Sequence, residues 1–63
     1  MSKEDVVKLM SDIVEKENIK MAQHNNISSD MIDEYVNQSR PMLEYLNEKV
    51  YDGLLNVGII NNV

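Results

Sequence analysis

The 63-residue chain is predicted to be all-α, an antiparallel helical hairpin whose long second helix is kinked at Pro41. Three observations predict it. Two apolar stripes recur at three- and four-residue spacing, a compact turn grammar separates them, and the second stripe keeps its phase through the one proline. The expected layout is one helical domain: a helix over about residues 3–24, a second over about 29–57, and a short apolar tail at about 58–63.

The first helix opens with Ser2 as N-cap and Asp5 at N3, a variant of the capping box. Val6, Leu9, Met10, Ile13, Val14 and Met21 then share one face at 100° per residue and are the expected contact with the second helix. Glu17 and His24 lie on the same stripe, and Ile19 lies off it, towards solvent. His24 sits where a cation favours the helix C-terminus, a plainer role than a ligand or pH sensor.

Asn25 and Asn26 tolerate the left-handed conformation that ends helices. Ser28 can cap the next helix, with Asp30 in its first turn, and Ile27 and Ile32 occupy the two positions of a hydrophobic staple. So short a connection forces the helices antiparallel.

On the second helix, Ile32, Tyr35, Val36, Ser39, Met42, Leu43, Leu46, Val50 and Leu54 form one stripe. Pro41 falls about 180° from its centre, where water can satisfy the carbonyl of Asn37 that the proline leaves free. The competing reading breaks the helix at about residues 39–41, with Ser39 as a fresh N-cap and Pro41 in the first turn of a third helix. Continuity of the stripe favours one kinked helix. Gly58 then fits C′ of a Schellman motif, with Ile59 at C″ and Leu54 at C3.

At ~1.5 Å per residue the helices would measure about 33 and 43 Å. Roughly two turns of the longer one, near Val50 to Leu55, are expected to project beyond the shorter and to leave apolar surface uncovered. Tyr35, Leu46, Val50, Tyr51, Leu54 and Leu55 are the candidate protein-binding residues. The simplest cover is a second copy, giving a two-fold dimer and a four-helix bundle. Met10, Met21, Met31 and Met42 are expected to fill the core, with a plastic binding surface as the other reading.

Composition narrows the function classes. A net charge of −5 opposes direct binding to nucleic acid or to anionic membranes. No apolar segment is long enough to span a bilayer or to serve as a signal peptide, and there is no cysteine, so a cytoplasmic location is expected. The Asn- and Ile-rich composition fits an AT-rich genome, such as that of a low-GC bacterium or its phage.

Catalytic, metal and cofactor residues are not identified: a lone histidine, no phosphate loop and no ligand spacing give chemistry nothing to converge on. No cofactor and no small-molecule substrate are expected. Asp30, Asp33, Glu34, Glu44, Glu48 and Asp52 form an acidic face opposite the apolar stripe. It is either a solvated surface or an electrostatic lure for a basic partner, mimicking DNA phosphates.

The segment "NISSDMIDEY", Asn26 to Tyr35, resembles the helical-hairpin motif of Sin-type antirepressors and repressor dimerisation segments. The resemblance implies that apolar hairpins associate and that such a protein displaces a repressor's own dimer, with Ile27, Ile32, Tyr35 and Val36 at the matching positions. "SRPMLEYLNE", Ser39 to Glu48, is loosely similar to the signature of the small phosphorelay aspartyl-phosphate phosphatases. There Ser39 matches, but Leu43 stands in place of the signature aspartate, Glu44 falls one position later and Pro41 interrupts, so no catalytic site carries over.

The leading expectation is a small acidic non-enzymatic regulator or inhibitor acting by helix-mediated binding, as a homodimer or by capturing a partner protein. An acidic decoy for a DNA-binding protein and a phage or structural assembly component are the alternatives, followed by a relay phosphatase.

Overall fold

The computed structural model describes residues 1–60; part of the expected apolar tail, residues 61–63, lies outside them. Two α-helices pack against each other as a hairpin, α1 (Lys3–His24) and α2 (Ser29–Asn56), and no strand occurs among the described residues.

Each helix end is specified locally. The Ser2 hydroxyl accepts a hydrogen bond from the Asp5 amide (3.2 Å), and the Asp5 carboxylate accepts one from the Ser2 amide (3.3 Å), which completes the capping box. α1 ends in a Schellman pair: the Asn26 amide donates to the Gln23 carbonyl and the Ile27 amide to the Ala22 carbonyl, both at 3.1 Å. Asn26 takes the left-handed conformation this requires, with φ 62°. Ser28 caps α2 by accepting from the Met31 amide. At the far end Gly58, at φ 81°, and Ile59 repeat the Schellman pattern on Leu55 and Leu54.

α2 runs unbroken through Pro41, which lies inside the helix on an exposed position. Arg40 and Ser39 stay helical, so no third helix begins there.

The seam between the helices differs from the expected one. Val7 and Ile32 are the only buried apolar residues among the described residues, and Asn47 and the fully buried Ser11 lie with them. Asn47 donates its side-chain amide to the Ser11 hydroxyl at 3.0 Å, and Ser11 in turn donates to the Val7 carbonyl at 2.8 Å. The α1 stripe expected to pack on α2 instead points outward, with Ile13 56 % and Met21 63 % exposed and Leu9 and Val14 also exposed. Ile19, expected in solvent, is half-buried in an apolar hollow with Ala22, Ile27, Met31, Ile32 and Val36 under the turn. The reason is steric as well as polar. Two helices meet along one line, and the small residues Ser11 and Ala22 allow closer approach than the broad row of Leu, Ile and Met.

The Asn47–Ser11 bond also sets the helices' relative height. Near the open end the Lys3 ammonium reaches Asp52 at 2.9 Å and Glu48 at 3.4 Å, so this part of α2 lies beside the first turn of α1, and α2 continues to Asn56.

The resulting body measures 42 × 18 × 17 Å, with a radius of gyration of 13.9 Å. A compact domain of this length would have a radius of gyration of about 11 Å. No described helix is long and apolar enough to cross a membrane.

Replacing Pro41 with alanine restores the amide that should bond the Asn37 carbonyl. The expected outcome is a more stable helix, by ~1–3 kcal/mol, read as a higher midpoint in thermal unfolding by circular dichroism.

Candidate interaction face

The hairpin has two unlike sides. On α1 the outward apolar residues are rotated about 100° from the seam, and on α2 they are rotated by the same amount in the same sense. In an antiparallel pair that brings both stripes to one side. Met10, Val14 and Met21 of α1 thus fall on the same side as Tyr35, Met42 and Leu46 of α2, and a shallow depression on that side is lined by Asn18 of α1 with Tyr35, Ser39, Met42, Leu43 and Leu46 of α2. Tyr35 is 60 % and Met42 68 % exposed, so this surface is open to solvent across both helices. Of the methionines expected in the core, Met21, Met31 and Met42 are exposed and Met10 is half-buried.

The opposite edge is ionic. Arg40 sits among three carboxylates: Asp12 at 2.8 Å, Glu15 at 3.3 Å and Glu44 at 3.5 Å. Its guanidinium is held above its usual pKa, chiefly by the hydrogen bond to Asp12, with Glu15 adding charge attraction and partial burial opposing. Lys3 bridges Asp52 and Glu48 at 2.9 and 3.4 Å and lies 6.0 Å from the centre of the Tyr51 ring. Its pKa is likewise raised, first by the hydrogen bond to Asp52. A raised cation pKa means that each contribution is complete at neutral pH and fades only as pH climbs through the folded value.

The candidate binding residues separate into two groups. Tyr35, Leu46 and Val50 are exposed on the apolar side. Tyr51, Leu54 and Leu55 are half-buried, Tyr51 with its ring beside the Lys3 ammonium. The acidic set divides as well. Glu44, Glu48 and Asp52 face Arg40 or Lys3 along the ionic edge, whereas Asp30, Asp33 and Glu34 are exposed near the turn. Among the described residues no group of three or more His, Asp or Glu could hold a metal ion.

Sequence reasoning assigned the α1 half of the face to the core and passed over Ser11, Asn47 and Arg40. A signal was present: Val7, Ser11, Asn18 and Ala22 recur at spacings of four and seven, a narrower stripe beside the wide apolar one. No protein-family model matches the chain, and no curated protein or solved structure matches it significantly.

Arg40→Met removes the one cation among Asp12, Glu15 and Glu44. Stability should fall by ~1 kcal/mol in dilute buffer and by less in molar salt, where the leftover carboxylate repulsion is screened, as urea titrations at the two ionic strengths would report.

Proposed function

We propose that this chain is a small non-enzymatic protein that works by helix-on-helix binding. It pairs with a second copy in a four-helix bundle, and through the same apolar surface it regulates or inhibits a partner protein. The observation that carries this reading is the side of the hairpin built from Met10, Val14, Met21, Tyr35, Met42 and Leu46, which the chain itself leaves uncovered.

Surface area supports it. The chain exposes 5030 Å² at a mass of 7.3 kDa. A compact monomer of that mass would expose about 4,200 Å². The excess is about 800 Å², the share that one partner contributes to an interface of standard size. Exposed apolar side chains gathered on one side of a small chain mark an interaction site. A bend at Pro41, convex to solvent, would curve α2 around such a bundle.

The resemblance of Asn26–Tyr35 to Sin-type hairpins fits this reading, since Ile27, Ile32, Tyr35 and Val36 line one apolar hollow near the turn and Tyr35 remains largely open to solvent. An antirepressor-like role, exchanging one hairpin partner for another in the cytoplasm, is the specific form we propose. The decoy reading draws less support, because Glu44, Glu48 and Asp52 already lie against cations of the same chain. A relay phosphatase has no aspartate to rest on at Leu43.

Sedimentation equilibrium of the purified chain should give a dimer at micromolar concentration. Val14→Asp and Leu46→Asp should each weaken association at least thirtyfold, about 2 kcal/mol, while helix content by circular dichroism is retained. A wild-type chain that stays a folded monomer as concentration rises would defeat the dimer.

A further inference from the structure

The geometry points to one register for the second copy: α2 lies antiparallel on the partner's α2, with Tyr35 seated over the partner's Gly53 and the reverse. This rests on the dimer reading above and adds orientation and register to it.

Gly53 is the starting point. It lies inside α2, where glycine weakens a helix relative to alanine. Nothing in the chain requires it. Its backbone is not in the left-handed region that Gly58 occupies, and a Cβ built at Gly53 would meet no atom within 4 Å. Yet Gly53 falls in the exposed row Leu46, Val50, Gly53 and Val57, at the three- and four-residue spacing of one helix face. The missing side chain leaves a notch in an otherwise apolar ridge.

A two-fold antiparallel pairing of α2 brings together residues equally distant from its centre. Tyr35 and Gly53 are both nine positions from residue 44, Met42 and Leu46 both two, and Met31 and Val57 both thirteen. Tyr35, on the same face, thus meets the row's one gap, and the Met42–Leu46 and Met31–Val57 pairs are apolar on apolar, while Val50 stands opposite Gln38.

The other face-to-face two-fold runs along the helices and sets turn beside turn. It would lay the partner's α1 on α2 and leave the notch at Gly53 unfilled, because α1 carries no Phe, Tyr or Trp side chain. The antiparallel arrangement avoids this, and the excess surface of about 800 Å² is what a second copy of this size would cover.

The native chain has no cysteine, so cross-linking is clean. Chains carrying Met31→Cys and chains carrying Val57→Cys, mixed and mildly oxidised, should give a disulfide-linked heterodimer in excess of either homodimer. The turn-beside-turn dimer holds these positions roughly 40 Å apart and would yield none. Separately, Gly53→Leu should weaken self-association at least tenfold with helix content unchanged or raised, and adding Tyr35→Ala should recover most of the loss. A dimer that fails to cross-link, or one that binds as tightly with Gly53→Leu as without it, would overturn this register and leave the dimer standing. A chain monomeric at every concentration would overturn both.

Discussion

The hydrogen bond from Asn47 to Ser11 governs the rest of this hairpin. It is buried, it joins the two helices, and both partners are satisfied, since Ser11 also donates to the Val7 carbonyl. An amide left unpaired in that position would cost more than the bond itself contributes, so the helices are held to the one height and rotation that bring the two groups together. That rotation turns Leu9, Ile13, Val14 and Met21 of α1 away from the seam, while Ile32, Val36 and Leu43 of α2 stay in it. Ser11, Asn18, Ser39 and Asn47 give the seam its geometric definition beside the hydrophobic burial of Val7 and Ile32.

The two sides follow from this choice. Where the helices' charged residues face each other, Arg40 and Lys3 tie α1 to α2 through four carboxylates, Asp12, Glu15, Glu48 and Asp52. Most of these pairs are well exposed, and each is worth little alone; Arg40, the most sheltered of the cations, binds both helices at once. The other side has apolar residues from both helices and little to cover them. A chain of this size has no disulfide with which to offset a thin interior. Burying the exposed side against another surface therefore supplies stability and binding together, which is why folding and association are expected to be coupled in this protein.

Much of the local structure was legible in the residues. Ser2 with Asp5, Ser28, Asn26 and Gly58 act through their own side chains or their own backbone freedom within a few residues, and such contacts can be read from spacing. The unbroken course of α2 through Pro41 was legible for a similar reason, because a stripe that keeps its phase identifies a single helix. The candidate site was legible only in part. Tyr35, Leu46 and Val50 are exposed on the apolar side, while Tyr51, Leu54 and Leu55 are half-buried near Lys3. Helix lengths alone could not show where the longer helix would overhang.

By itself, the sequence determined that there are two amphipathic helices, where each starts and stops, and that a short turn folds one back on the other. These are short-range matters of capping, turn chemistry and periodicity. Only the tertiary structure decided which face of each helix forms the seam. An apolar stripe shows that a face seeks cover but not what will cover it. The choice fell to a long-range competition in which small side chains, one buried amide and Arg40 held the seam. The greasier residues were left outside it.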